Sequence, residues 1–414
     1  MIKKLILILF VTISAVAFGQ TNSETFNKFI LDITQVESQY REYYNNKEYK
    51  QTAILLQEML GLVENLKLTP DEVTDYHIFI QNIKAGIHYN LTCTYALLNQ
   101  KKQAIAAFEQ AIESGYSEYR HAKTDTDLDN IREEKKFIDL LDRIKQFDKL
   151  VILQNAPGYQ EEKRDSLPQF VYQSPEDNNL QQVRSFFNLD SVAGNRDELT
   201  QIVNILKFAH DAIKHNGSNY ALCEFDAIDI YNYNKSTNKG VNCRHLAIAL
   251  NEMYLAMGIP SRYVTCLPKD ENDPDCHVIN SVYSSQLQKW LWIDPTFNAY
   301  VKDENGNFLS IAEVRERLIS GKPLVLNEDA NWNNETPQTK EYYLETYMAK
   351  NLYWFECVAY SRFNPESRYR KVDNQYIGLK PVGVGDNAVG SAVIITHDPE
   401  YFWQAPPRRE NKEE

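Results

Sequence analysis

The sequence predicts an α+β protein in which an all-helical, repeat-like N-terminal domain precedes a domain whose antiparallel sheet packs on a cysteine-bearing helix. Three observations predict it. Residues 20–150 contain almost no Pro or Gly, and their apolar residues recur at the three- and four-residue steps of a helix. Residues 243–257 carry the clearest helical period in the chain. Three short runs with strand character follow that helix, each ending at a turn or a charged segment.

The elements follow in order. The chain begins MIKKLILILFVTISAVAFGQ. Lys3 and Lys4 supply a positive start, Leu5 to Val16 an apolar run, and Ala17 and Gly19 the small residues of a cleavage site. Residues 1–19 therefore read as a secretory signal peptide, with a mature chain from near Gln20 that is periplasmic or secreted. No later stretch is long and apolar enough for a transmembrane helix. The formal charge is −13, and losing Lys3 and Lys4 with the signal takes it to −15. That acidity argues against nucleic acid or an anionic membrane as the main partner. Six cysteines in so long a chain do not form a disulfide framework. Cys266 and Cys276 are the one candidate bridge, across a hairpin. A thiol kept free in an oxidising compartment needs a reason.

Within 20–150, HYNLTCTYALLNQKKQAIAAFEQAIESGY is the most specific stretch. Leu91 and Tyr95 share a face of one helix, and Ala104, Phe108 and Ala111 share a face of the next. This resembles a tetratricopeptide repeat, in which small residues let paired helices pack closely. EYYNNKEYKQTAILLQEML reads as a degenerate preceding repeat, and DTDLDNIREEKKF as an acidic turn and closing helix. The resemblance implies a surface for a protein partner. Residues 151–195 are dense in Pro, Gly and charge and read as a linker. A helix returns from Glu198 to His215, with Ile202, Ile205, Leu206 and Ala209 on one face. Residues 216–242 read as a polar loop with one short helix.

Asn242 is a helix N-cap, and Gly258 and Pro260 stop the helix that follows. SRYVTCL, HVINSVY and KWLWIDPT read as strands, with Trp290, Trp292 and Asp294 on one face and Leu291 and Ile293 on the other. Cys243 thus opens a helix, His277 opens a strand and Asp294 closes the next. A helix N-terminus favours a thiolate, and its unpaired N–H groups can bind an oxyanion. A histidine can take the thiol proton and return it to a leaving group, and a carboxylate beside it fixes the ring.

GVNCRHLAIALNEMYLAMGIPSRYV resembles the core of the transglutaminase-like superfamily, which has a papain-like cysteine-protease arrangement. The matching residues are Gly240, Cys243, Gly258-Ile259-Pro260, Arg262, His277 and Trp290 through Thr296. The resemblance implies Cys243 as nucleophile, His277 as general base and Asp294 as orienting carboxylate, in a catalytic core over 196–335. Residues 336–414 form an extension that completes or covers it, with Tyr353, Trp354 and Trp403 as candidate cleft walls. Where the family commonly continues His-Ala-Trp, this chain has His277-Val278-Ile279. No motif identifies the side chain of the oxyanion hole; Tyr233, Asn238 and Asn242 are the candidates. Arg262 is expected to anchor its strand by an ion pair, and His245 to be structural.

The implied activity is attack on amide bonds of peptides or proteins through an acyl-enzyme, with hydrolysis favoured over cross-linking. No cofactor is implied. Cys243, His245, Cys276 and His277 offer a zinc alternative, but Cys276 and His277 point to opposite faces of a strand. The alternative function is a non-catalytic scaffold that binds a peptide or protein through its helices and a degenerate transglutaminase-like domain.

Overall fold

A computed structural model of the chain describes residues 23–161, 167–384 and 393–407. The signal-peptide segment 1–19 lies outside the described residues. The chain divides into two compact units, Met1–Val151 and Ile152–Glu414.

The first unit is helical. Helices α1 (Glu24–Asn45) and α2 (Tyr49–Glu64) form one antiparallel pair, α3 (Pro70–Leu97) and α4 (Lys101–Glu113) the next. Thr69 and Glu72 close a capping box ahead of α3, with Pro70 at its first position. The turns inside the two pairs are built alike. Lys47 and Asn99 both adopt positive φ. Glu48 N–H donates to Tyr43 C=O, and Gln100 N–H to Tyr95 C=O, each at 2.8 Å. Both are the six-to-one bond that ends a helix at a left-handed residue. Leu56 and Met59 of α2 and Ala104, Phe108 and Ala111 of α4 are fully buried. A short 3₁₀ turn (Thr126–Leu128) and α5 (Lys135–Lys145) follow.

The second unit is built on a six-stranded sheet of order β8-β7-β6-β1-β2-β3. Its strands are β1 (Ser261–Leu267), β2 (His277–Ser284), β3 (Lys289–Ile293), β6 (Trp354–Val358), β7 (Tyr376–Leu379) and β8 (Val393–Thr396). A two-stranded hairpin, β4 (Asn331–Trp332) and β5 (Thr336–Pro337), stands outside it. The large sheet is mixed rather than wholly antiparallel, because β7 and β8 pair in parallel. Residues of the C-terminal extension thus supply three strands of the sheet.

The stretch expected to be a linker differs from that reading. Residues 178–193 form α6 (Asn178–Phe186) and α7 (Leu189–Ala193), and Leu180, Val183, Leu189 and Ala193 are buried in the core. Their sequence is polar because both helices are short and only one narrow face is covered. They join α8 (Glu198–Ala212) and α9 (Ala227–Thr237) around α10 (Cys243–Ala256). Helix α10 packs on β1 and β2 on its other side, so every residue from His245 to Ala256 is buried. That burial reaches three polar residues, His245, Asn251 and Glu252. Asn251 donates to Ser361 Oγ at 2.9 Å, and Glu252 accepts the backbone N–H groups of Ala227 (2.9 Å) and Asn364 (2.7 Å). Burial holds the Glu252 carboxyl well above its usual range, against the two backbone N–H groups that lower it.

Arg262 does not form the expected ion pair. It is fully buried, and no carboxylate pairs with it among the described residues. Its guanidinium lies 4.4 Å from the Phe170 ring centre and 4.5 Å from that of Trp290, with Phe402 and Trp403 further out. Nη1 donates to Phe402 C=O at 2.9 Å. Four rings brought from distant parts of the chain hold the cation in place of a carboxylate.

Candidate active site

The site is assembled at the start of α10. Residues 214–216 run beside 239–241: Asn216 N–H donates to Val241 C=O at 2.7 Å and Val241 N–H to Lys214 C=O at 2.9 Å. Gly240 permits this approach. Its φ is +74°, and a Cβ there would stand 2.8 Å from Asn216 Cβ and 3.0 Å from the His215 carbonyl carbon. Asn242 then caps the helix, its Oδ1 accepting His245 N–H at 3.2 Å and meeting His245 Nδ1 at 2.6 Å. Cys243, partly accessible, is the first helical residue.

His277 opens β2, and its Nε2–H donates to Asp294 Oδ2 at 2.7 Å. Asp294 is fully buried. Its Oδ1 accepts Thr296 N–H at 2.8 Å, and Oδ2 also accepts Tyr343 O–H at 2.6 Å. Tyr343 is itself held by the Trp292 indole N–H at 3.1 Å. The Asp294 carboxylate therefore has a donor on each oxygen besides the histidine. With Nε2 engaged, Nδ1 is the edge of His277 left to face Cys243, and no other group holds it.

These contacts set the charge of the pair. Burial pushes the Cys243 thiol up, but hydrogen bonds from His215 and His277 and the His277 charge reverse the shift and bring it down to about 6. Burial disfavours the His277 cation, yet the Asp294 carboxylate raises its pKa well above the ordinary value. A thiolate beside an imidazolium is the favoured state at neutral pH. Burial instead pushes up the thiols of Cys93, Cys266 and Cys357.

The structure brings Cys243, His277 and Asp294 together. The oxyanion candidates have contacts of their own. The Tyr233 hydroxyl accepts from Asn219 Nδ2 at 3.2 Å, Asn238 is the left-handed cap that ends α9, and the Asn242 oxygen is engaged in the cap of α10. A further side chain that faces Cys243 is His215, whose backbone bridges to Val241 and which helps lower the thiol pKa. The sequence pattern makes it only the end of a helix, whereas α8 stops at Ala212. Nothing around it in sequence marks it, since its partners Trp332 and Asn333 lie in the β4–β5 hairpin.

The expected aromatic walls are also different residues. Tyr353 and Trp354 are buried, with Trp354 beneath the Lys380 ammonium at 4.7 Å, and Trp403 serves the Arg262 box. The rings beside His277 are Tyr347 at 5.2 Å and Phe297 at 5.6 Å. Cys266 and Cys276 are free thiols, not a bridge. No three of Cys243, His245, Cys276 and His277 converge as metal ligands. His245 stacks on Phe225 with ring centres 4.4 Å apart, and burial lowers its pKa to about 4. Among the described residues, a converging trio exists only in the first unit, at Cys93, Asp125 and Asp127. Asp125 there already accepts from Tyr89 O–H at 2.9 Å and from the Cys93 thiol.

Residues 187–295 match the family model of the transglutaminase-like superfamily core. The match begins inside the stretch expected to be a linker, in agreement with the buried helices there. The chain is also 31% identical over 115 residues to a chloroplastic protein of Arabidopsis thaliana, a match that covers 28% of this chain and 29% of that protein. The chain thus spans under a third of that relative's length. Residues 187–295 carry a transglutaminase-like domain, and the chain as a whole is α+β, with a helical N-terminal region consistent with a repeat-like domain.

Proposed function

We propose that this protein is an exported cysteine-dependent hydrolase of amide bonds in peptides or proteins, with Cys243 as nucleophile, His277 as acid–base and Asp294 as the group that orients and charges the imidazole. The observation that carries the reading is geometric: Cys243 opens α10 facing His277, whose far ring nitrogen is held at 2.7 Å by the fully buried Asp294 carboxylate, and the lowered thiol pKa agrees with it. The Cys243 thiolate attacks the amide carbonyl and the C=O π electrons move to oxygen. The tetrahedral adduct collapses as His277 gives its proton to the departing amine, leaving a thioester on Cys243. Neutral His277 then takes a proton from water as water attacks the thioester. Collapse of the second adduct releases the carboxylic acid and the thiolate, with the proton back on His277. An amine in place of water would give cross-linking through the same thioester. The half-buried position of Cys243 favours water as the smaller acceptor.

The test uses the purified chain from Gln20. Iodoacetamide labelling is mapped across all six cysteines, and release of new amino termini from an unfolded protein substrate is followed with and without a biotinylated primary amine. The reading expects Cys243 to label first and Cys243→Ala to lose all turnover. Biotin incorporation outpacing hydrolysis would convert the proposal to transfer. Full activity in Cys243→Ala, or no turnover in the wild type, would leave the scaffold function instead. Export rests on the pattern of residues 1–19 and is tested by amino-terminal sequencing of the protein from its native host; an intact Met1 terminus on all of it sinks that part.

A further inference from the structure

The geometry points to a role for His215: we propose that its Nε2–H is the side-chain donor of the oxyanion hole, and that Trp332 holds it in that tautomer. The proposal rests on Cys243 being the nucleophile. It starts from a bond whose direction leaves no choice. An indole N–H only donates, and the Trp332 Nε1–H meets His215 Nδ1 at 2.9 Å. Nδ1 therefore carries no hydrogen while that bond stands. The hydrogen of the neutral ring is on Nε2, the edge left to face Cys243, beside which the pairing of residues 214–216 with 239–241 holds the ring.

The two histidines at the thiol are thus wired in opposite senses. His277 donates from Nε2 to Asp294 and keeps Nδ1 for the proton it exchanges with sulfur. His215 accepts at Nδ1 and keeps a fixed donor toward the sulfur. It cannot serve as the base, because a second ring proton would sit on Nδ1 against the Trp332 N–H. A fixed neutral donor beside the sulfur stabilises the thiolate before attack and is in place for the oxyanion that attack creates. The carbonyl carbon under attack becomes bonded to Sγ, and its oxygen lies one bond further on, within reach of a donor that already addresses Sγ. The N–H groups of the first turn of α10 supply the complementary donors.

The β4–β5 hairpin also holds the backbone of His215. Asn333 Oδ1 accepts His215 N–H at 2.8 Å, and Asn333 Nδ2 donates to His215 C=O at 3.0 Å. The hairpin is itself anchored: Asn331 N–H donates to Phe297 C=O at 2.8 Å, and Asn331 Oδ1 meets His210 Nε2 at 3.0 Å. Ring and peptide of His215 are therefore both fixed before a substrate arrives, which is what makes an oxyanion donor effective.

Two probes separate this role from others. Acylation by p-nitrophenyl acetate passes through an oxyanion, whereas alkylation by iodoacetamide, a displacement at saturated carbon, does not. Plateau rates per thiolate are taken from full pH profiles, so that any change in thiol pKa drops out. His215→Ala is expected to lower acylation of Cys243 by about 10²–10³-fold, the usual cost of one oxyanion donor, while alkylation changes by less than about tenfold. His215→Gln restores a donor and recovers acylation to within about tenfold of wild type. Trp332→Phe frees the ring to take the tautomer without a hydrogen on Nε2, and acylation is expected to fall several-fold while alkylation changes little. Equal losses with both probes in His215→Ala, or acylation within about threefold of wild type, would overturn the proposal. A Cys243 alkylation pKa still well below that of a free cysteine, as His277 would hold it, shows that the site is folded. Cys243→Ala is the separate control: if it acylates as fast as wild type, the nucleophile assignment fails whatever the His215 variants do.

Discussion

Cys93 and Cys243 show how little burial alone says about a thiol. Cys93 lies in α3 of the first unit and Cys243 at the head of α10 in the second. Burial pushes both thiols up, and their neighbours then act in opposite directions. Asp125 and Asp127 stand beside Cys93, their charges raise its pKa further, and its S–H donates to Asp125 Oδ2 at 3.5 Å. Cys243 faces two histidines and falls to about 6. One thiol is a proton donor kept neutral by acids. The other is a thiolate kept charged by hydrogen-bond donors and a cation.

The comparison breaks most completely at His277. His277→Ala removes the cation and one donor from Cys243 and leaves its burial in place. Alkylation of Cys243 by iodoacetamide at pH 7 is expected to fall by about a hundredfold or more, toward the rate of Cys93, as the thiol pKa climbs back past that of an ordinary cysteine. Competitive labelling read by mass spectrometry measures both thiols in one sample. A loss of less than about tenfold would mean that His277 does not set the charge.

A titration sharpens the same contrast. The Cys243 pKa is depressed, so the thiolate exists above about 6 and is lost as pH falls through that value. Between about pH 5 and pH 8 its alkylation rate should rise by about tenfold and level off. Acyl transfer needs the imidazolium as well, so it should decline again in alkali as His277 gives up its proton, a bell whose limbs belong to the pair. Alkylation that rises only near pH 9 would place Cys243 with Cys93.

Asp294→Asn keeps the shape of the site and removes the charge behind His277. A several-fold to tenfold loss of alkylation at pH 7, with the acid limb moved upward, is expected. A rate unchanged within error would show that the carboxylate orients the ring without charging it. The smallest effect belongs to Asp125→Asn. It removes a charge beside Cys93, but the thiol stays 4% exposed, so labelling of Cys93 should change by less than about twofold. A large gain would mean that charge, not access, keeps Cys93 inert.

What was legible in the sequence was local. Asn242, Gly258 and Pro260 bound one helix unambiguously, and strand alternation put Asp294 at a strand end; the structure shows both. Cys243, His277 and Asp294 each sit at the end of an element, where patterns are strongest. What was not legible depended on partners far along the chain. His215 lies in a polar run and acquires meaning only from Trp332 and Asn333. Tyr343 is one tyrosine among several in KEYYLETYM until its hydroxyl meets Asp294. Arg262 looked like half of an ion pair because its aromatic neighbours come from positions 170, 290, 402 and 403. Residues 178–193 looked like a linker because short helices bury too few residues to show a period.

The hairpin at Asn331–Pro337 has a consequence for the order of folding. The groups around the thiol come from positions 215, 243, 277, 294, 332 and 343, so every contact that lowers its pKa closes a long loop of chain. Such contacts form late, because loop entropy is lost before they reward it. Until then Cys243 is an ordinary, mostly protonated thiol. On the export route proposed above, a new chain crosses an oxidising compartment with its most reactive sulfur chemically quiet, and gains a nucleophile only when the last pieces dock. Rapid labelling of Cys243 during refolding would clock that final step directly.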